Sequence, residues 1–302
     1  MLETNNFRAS LWMVGSMALF AGEDLFLKWA AAAMPAGQII AIFGVAGVVM
    51  WGLMAWHAGA ALVDRSFLHP MVALRNLTEA LGSMGYIAAL AVVPLATVAA
   101  ILQSAPLMVT MGAALFLGEK VGWRRWTAIG LGMLGVLMIL RPGAGGLSVA
   151  TLVVVASVVA LSVRDLVTRR IPPEIHTLQL TSWAYFAMIP AGICLMWLEG
   201  RAFEPFGWSD GIGLAAAYVL GAAGYYSVTH AMRIGEAAVV APYRYTRMVF
   251  VLTLAVVFLN ERPGFWVLGG ATLIILTGLY ALARTRNAAA TLQPSPVPGD
   301  GI

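Results

Sequence analysis

The chain has 302 residues, of which 61% are hydrophobic and only 11% are charged. A soluble domain carries about 25% charged residues, so this composition excludes an ordinary soluble fold and indicates an all-α integral membrane protein. The net charge of +4 comes with no basic face, which argues against nucleic-acid binding, and the single cysteine, Cys194, excludes a disulfide framework within one chain.

The first apolar stretch resembles a signal peptide, because the small residues Ala31, Ala32 and Ala33 follow it like a cleavage site. It also contains charged side chains at positions 23, 24 and 28, which the apolar region of a signal peptide would not hold. We therefore interpret this stretch as an uncleaved first membrane helix.

Ten stretches of the chain are long and apolar enough to cross a bilayer, which takes about 20 residues. The predicted spans are 10–32, 36–56, 71–92, 96–117, 124–140, 148–168, 178–198, 211–232, 238–259 and 264–283. Pro and Gly stand in the short connections where helices must stop. Segment 287–302 is polar and rich in Pro, so we predict a disordered cytoplasmic tail there.

The two halves of the chain are similar to each other. A shift of 142 residues aligns Ala96 with Ala238, Val98 with Val240, Ala113 with Ala255, Phe116 with Phe258 and Glu119 with Glu261. Near the start of each half, Asp24 matches Asp165 at a shift of 141. Internal repeats of this size are typical of secondary transporters. Each half holds five spans, an odd number, so we predict two inverted five-helix repeats, 8–141 and 146–284, around a central cavity.

Glycines recur at helical spacing and predict close helix crossings. They are Gly44, Gly47, Gly130, Gly132, Gly135, Gly221, Gly224, Gly269 and Gly270.

The basic residues outside the spans predict the orientation. One side collects Arg8, Arg65, Lys120, Arg124, Arg125, Arg169, Arg170, Arg233, Arg284 and Arg286. The other side collects Arg141, Arg201 and Arg262. This bias predicts that both termini are cytoplasmic, in a multi-pass protein of a bacterial-type inner membrane.

Charged residues at bilayer depth each cost roughly 2.5–3.5 kcal/mol on insertion scales, so each should face a partner or a wet cavity. The first span carries Glu23, Asp24 and Lys28, and the last two share a helix face. Two interpretations stay open. Either Asp24 and Lys28 form a local ion pair that orders the helix, or a carboxylate here binds a cationic group or a proton.

The third span carries Arg75, Asn76 and Glu79. Arg75 and Glu79 are four residues apart, and Glu79 is near the middle of the membrane. Arg75 either extends to the lipid headgroups or joins Glu79 in a fork that holds a substrate carboxylate.

The ninth span carries Tyr243, Arg244 and Arg247 and has no acid of its own. Its arginines therefore need partners on other helices, for which Glu79, Glu23 and Asp24 are candidates, or an anionic substrate. We predict that this stretch lines the cavity.

Further candidate substrate ligands are polar or aromatic: Gln103, Ser104, Tyr225, Tyr226 and Trp183. Pro106 frees a backbone carbonyl beside the first two, as helix breaks in transport cavities do. Arg164 and Asp165 are predicted to form an interfacial pair or gate rather than a site. The central acids and bases nearly balance, which favours a zwitterionic or weakly anionic amphipathic solute.

The chain resembles the EamA family of the drug/metabolite transporter superfamily in three segments. These are the segment around Pro94-Leu95-Ala96, the Gly118-Glu119-Lys120 loop and the equivalent Asn260-Glu261-Arg262 in the second half. The resemblance covers residues 8 to 284. It implies a ten-helix basket of inverted repeats whose members move amino acids, nucleotide-like metabolites, vitamins or drugs across the inner membrane. It implies no particular cargo, because the family shares no single substrate motif, and it gives Glu119 and Glu261 structural roles at helix ends.

We therefore expect a secondary transporter that moves a small amphipathic organic metabolite by alternating access, as a monomer or weak dimer in the lipid bilayer. Coupling to protons, exchange and facilitated diffusion are left open. The alternative is multidrug-type efflux of hydrophobic compounds. An enzyme acting on a lipid phosphate, or an oligomeric channel, is much less favoured, since paired metal-binding acids are missing from the sequence and one chain already holds both repeats. No metal and no cofactor is predicted.

Overall fold

The computed structural model describes residues 5–119, 121–142 and 148–291, and all regular structure within these ranges is helical. The helices are α1 (Asn6–Ala33), α2 (Ala36–His57), α3 (Pro70–Val92), α4 (Leu95–Leu102), α5 (Ala105–Phe116), α6 (Trp123–Leu140), α7 (Val149–Thr168), α8 (Thr177–Glu199), α9 (Trp208–Ile234), α10 (Ala237–Val240), α11 (Arg247–Leu259) and α12 (Phe265–Thr291). Lys120 and residues 292–302 of the predicted tail lie outside the described residues, whereas 287–291 continue the last helix.

Eight of the predicted spans correspond to single helices, and the fourth and ninth are interrupted. The fourth breaks between α4 and α5, where Pro106 stands in the first turn of α5 and cannot donate a backbone hydrogen bond. The ninth breaks at a 3₁₀ turn, Ala241–Thr246, which contains Pro242. The sequence predicted the first interruption but not the second.

The outer surface of the helices is apolar. In the described part of the chain, eight helical segments are long and apolar enough to cross a membrane. The two remaining long helices, α3 and α6, carry charged residues that lower their hydropathy. Val45, Val49 and Leu53 on α2 are each about half exposed in the isolated chain, as expected of side chains that face lipid. The protein is therefore a multi-span membrane protein.

Four pairs of long helices make the principal contacts: α1 with α9, α2 with α8, α3 with α7, and α6 with α12. Glycines permit the closest of these crossings, because a Cβ atom at Gly135 would meet the carbonyl oxygen of Gly270. Close packing is also confirmed for Gly44, Gly47, Gly132, Gly221, Gly224 and Gly269. The prediction was wrong for Gly130, where a Cβ atom would meet nothing within 4 Å.

Two glycines of α6 test this account of the packing. We expect Gly135→Ala to destabilise the protein by about 1–3 kcal/mol, because the backbone of α12 must move away. Gly130→Ala is the matched control and should be neutral or stabilising by up to about 1 kcal/mol. The melting temperature of the detergent-purified protein measures both, and equal values for the two variants would contradict the proposed crossing.

Candidate functional site

An ion pair between two helices occupies the interior of the bundle. Arg247, at the start of α11, donates to both oxygens of Asp24 in α1, with Nη2 at 2.8 Å from each and Nε at 3.2 Å from Oδ2. The Tyr86 hydroxyl donates to Asp24 Oδ1 at 2.6 Å, and the guanidinium lies 5.4 Å from the centroid of the Phe20 ring. The Asp24 side chain is 2% exposed, so its carboxylate is buried and its charge is compensated by Arg247 inside the protein.

A second network joins α3 to α7. Arg164 Nη1 donates to both oxygens of Glu79 at 3.0 Å, and Arg164 Nη2 donates to Asp165 at 2.8 Å. Arg75 lies 3.8 Å from Glu79 and donates to the carbonyl oxygen of Leu180 at 3.1 Å. Arg75 therefore ties α3 to α8 as well as pairing with Glu79, so its guanidinium does not extend freely to the headgroups.

Glu23 and Arg244 differ from these neighbours, because neither makes a hydrogen bond or an ion pair within the described part of the chain. Both are surrounded by protein, yet Glu23 is only half-buried and Arg244 is exposed. Groups that are enclosed by helices and still accessible line an interior space. Tyr225 and Tyr243 are also partly exposed, at 39% and 41%.

At one end of the bundle, which we call the Pro94 end, charges hold the turn between α3 and α4. Lys28 Nζ donates to the carbonyl oxygens of Leu90 at 2.6 Å and Val93 at 2.7 Å. Glu261 accepts from the backbone N–H groups of Leu95 at 2.6 Å and Ala96 at 3.0 Å. A cation at the C-terminus of α3 and an anion at the N-terminus of α4 both complement the helix dipoles. Asp24 and Lys28 thus do not pair with each other.

At the opposite end, which we call the Arg169 end, the corresponding residues pair differently. Arg169, which the repeat aligns with Lys28, contacts Glu119, which aligns with Glu261, at 3.0 Å. The neighbouring Arg170 donates to the carbonyl oxygen of Phe116 at 2.8 Å. In this structure the turn between α9 and α10 is held by Asn6, whose Oδ1 accepts from the N–H of Glu236 at 2.9 Å.

The two interrupted helices touch at their breaks. Gln103 Nε2 donates to the carbonyl oxygen of Tyr245 at 3.3 Å, and the repeat aligns these two residues with each other. Ser104 is fully buried, and its hydroxyl donates to the carbonyl oxygen of Ile101 at 2.6 Å. The carbonyl oxygen of Ile101, at the break in the fourth span, is therefore hydrogen-bonded inside the protein.

The other predicted ligands lie in different surroundings. Trp183 donates from Nε1 to the carbonyl oxygen of Leu62 at 2.9 Å and packs in a small hydrophobic cluster with Val72 and Leu180. Tyr226 is 64% exposed and its ring stacks on that of His230 at 6.0 Å. Asn76 is buried and accepts a long contact of 3.4 Å from Arg75. The structure thus gathers Glu23, Asp24, Glu79, Arg244 and Arg247 in the interior and leaves Trp183 in a peripheral cluster.

Two interior residues were not among the predicted site residues. Arg164 is the main partner of Glu79, and Tyr86 is a partner of Asp24. The repeat contains a signal for Arg164, because the shift of 141 that aligns the two aspartates also aligns Arg164 with Glu23. Nothing in the sequence around Tyr86 indicates its partner. Among the described residues no group of three or more His, Cys, Asp or Glu side chains could hold a metal ion.

Comparison with known proteins identifies the class of this fold. The chain matches the EamA-like transporter family twice, over residues 7–141 and 148–283. It belongs to this family and is therefore a membrane transporter rather than an enzyme.

Individual relatives are transporters of different metabolites. An S-adenosylmethionine uptake transporter of Rickettsia conorii is 24% identical over 92% of this chain and 93% of its own length. A riboflavin transporter of Rhizobium johnstonii is 26% identical over 90% of each chain. A solved crystal structure with 18% identity superposes with a TM-score of 0.62 over 95% of this chain and 99% of its own length, a likeness that concerns the fold alone. These findings confirm the predicted class, a transporter of small metabolites.

Proposed function

We propose that this chain moves a small amphipathic metabolite with an anionic group across a bacterial inner membrane by alternating access. The substrate would bind between two inverted five-helix halves, 8–141 and 146–284, that form ten spans. The observation that carries this proposal is Arg244, a guanidinium with no partner among the described residues, beside networks in which Arg75, Arg164 and Arg247 are paired with acids. An unpaired guanidinium in a partly dry interior is a strong binding group for a carboxylate or phosphate.

The helix contacts support the relation between the halves. When each helix is exchanged for its repeat equivalent, the contact of α1 with α9 becomes the contact of α7 with α3, and both are extensive. The contacts of α2 with α8 and of α6 with α12 are unchanged by the exchange. The contact between Gln103 and Tyr245 joins equivalent residues in the same way. A two-fold relation between halves with an odd number of spans requires that they enter the membrane in opposite directions.

The two ends of the bundle support a conformational cycle. Lys28 and Glu261 bridge three helices at the Pro94 end, whereas the equivalent Arg169 and Glu119 at the Arg169 end bind each other. We propose that the Pro94 end is closed here, and that the Arg169 end closes when its charges transfer to the turn between α9 and α10. The Lys/Arg bias supports a cytoplasmic Arg169 end and cytoplasmic termini, which would make this an inward-facing state.

Labelling of a buried cysteine at the Pro94 end tests this cycle. Ala96 is 1% exposed, so Ala96→Cys in a Cys194→Ser background should react slowly with an impermeant thiol reagent added outside. Adding Glu261→Gln removes the carboxylate that holds α4 and should raise the labelling rate about tenfold, given the worth of charged hydrogen bonds. Arg262→Gln, an exposed neighbour, is the matched control. Unchanged labelling with Glu261→Gln would contradict the proposed closure.

A further inference from the structure

We propose that Glu23 binds the cationic group of the substrate, an onium group such as a quaternary ammonium or sulfonium, in an aromatic pocket between α1, α2, α8 and α9. This inference rests on the proposed function and adds the second, positively charged part of the transported molecule. It assigns a role to the interior carboxylate that the ion-pair networks leave unused.

The carboxyl group of Glu23 lies against Gly221 of the facing helix, which has no side chain. A Cβ atom at Gly221 in α9 would come into contact with the carboxyl group of Glu23, so a larger residue there would displace the end of the Glu23 side chain. The repeat aligns Glu23 with Arg164, and Gly221 with Glu79. Where one half of the protein has an arginine paired with a glutamate, the other half has a glutamate facing a glycine. Among the described residues, Glu23 therefore has no partner equivalent to the one that Arg164 has in Glu79.

Arg247, a basic residue close to Glu23, does not pair with it. Arg247 lies close enough to Glu23 to act on its charge, but its guanidinium is bound to both oxygens of Asp24. Tyr86 donates its single hydroxyl proton to Asp24 as well. A carboxylate left without a partner at bilayer depth is costly unless a ligand, a proton or water satisfies it.

Aromatic rings surround the same face of α9. Tyr218 and Tyr225 lie three residues before and four residues after Gly221, so they flank it on one helix face. The Tyr218 ring lies 6.3 Å from that of Tyr185 in α8, and the Tyr225 ring lies 5.4 Å from that of Trp51 in α2. Tyr185 also lies within electrostatic range of the Glu23 carboxyl group. We call Tyr185, Tyr218, Tyr225 and Trp51 the aromatic pocket.

The chemistry of this arrangement favours a large soft cation. The faces of aromatic rings attract cations, and the combination of rings with a carboxylate is suited to onium groups, which cannot donate several hydrogen bonds. Trp51 Nε1 and the Tyr218 hydroxyl are buried close to each other, without a well-aligned hydrogen bond among the described residues. A lysine of α9 could pair with Glu23 only from the helix position that faces this acid, and that position holds Gly221.

Binding of choline to the purified protein tests this proposal. Choline should raise the melting temperature of the wild-type protein, whereas 3,3-dimethylbutan-1-ol, its uncharged isostere, should not. Glu23→Gln should weaken choline binding about tenfold or more, because it removes the charge and keeps the shape. Gly221→Ala should have a similar effect by displacing the carboxylate, with Gly130→Ala as the control for a new methyl group.

Four results would overturn the proposal. Choline could fail to bind, could bind Glu23→Gln as tightly as wild type, or could bind no better than its uncharged isostere. Loss of proton-driven uptake in Glu23→Gln with choline affinity unchanged would also overturn it, and would make Glu23 a proton site. None of these results touches the proposed function, which depends on the binding of anions by Arg244 and is tested with Arg244→Ala.

Discussion

Asp24→Asn is expected to destabilise the protein by about 3–5 kcal/mol and to abolish transport, because it leaves the Arg247 guanidinium buried without its charged partner. Three hydrogen bonds from Arg247 and one from Tyr86 converge on this carboxylate, whose side chain is 2% exposed. The pair also connects the first half of the chain to the broken helix of the second half. The melting temperature and the uptake of solute into proteoliposomes measure the two effects.

The repeat supplies a matched control for this variant. Asp165 is equivalent to Asp24, but its side chain is 45% exposed and Arg164 keeps Glu79 as a second partner. Asp165→Asn should therefore cost only about 0–1 kcal/mol. Combining Asp24→Asn with Arg247→Gln removes both buried charges and should recover most of the lost stability. A melting temperature of Asp24→Asn equal to that of wild type would show that the ion pair does not hold the halves together.

Arg244→Ala is expected to weaken the binding of 3,3-dimethylbutanoate and of glycine betaine by about tenfold to a hundredfold, because a charged hydrogen bond to the carboxylate is lost. The melting temperature of the unliganded protein should not fall, since Arg244 has no partner among the described residues. Choline, which lacks the carboxylate, should bind the variant as it binds the wild type. Binding can be followed by thermal shift or by calorimetry.

Paired arginines provide the contrast. Arg164→Ala removes the main partner of Glu79 and should lower the melting temperature together with transport. Glu79→Gln should also lower both transport and stability, because Arg164 then keeps only Asp165 as a charged partner. If Arg244→Ala bound glycine betaine normally, Arg244 would have no part in the substrate site.

Most of the fold could be predicted from the sequence, because apolar length alone determines where helices cross a bilayer. The helix ends also agreed where Pro and Gly stand, as at Pro70, the first residue of α3, and at Gly200, which follows α8 with a φ of 64°. The break at Ala241–Thr246 was missed because residues 238–259 have the length of a single span, although Pro242 lies within them. In the first half of the chain, Pro106 does indicate the break between α4 and α5.

The pairing of charges was less predictable, because it depends on which helices face each other. The sequence correctly required partners for Arg247 from another helix and named Asp24 among them. The spacing of four residues predicted local contacts, and Arg75 does lie near Glu79, but Lys28 binds backbone carbonyls instead of Asp24. Only the three-dimensional arrangement separates the satisfied charges from Glu23 and Arg244.

A thermal-shift comparison of ligands sorted by charge tests the account most directly. The four ligands have similar shapes and differ in charge. Glycine betaine carries both charges, and choline carries only the positive one. 3,3-Dimethylbutanoate carries only the negative charge, and 3,3-dimethylbutan-1-ol carries none. We predict the largest rise in melting temperature for glycine betaine, a smaller rise when Glu23→Gln or Arg244→Ala is introduced, and none when both are combined. Equal stabilisation by all four ligands, unaffected by either variant, would contradict the account and would indicate a carrier of hydrophobic compounds.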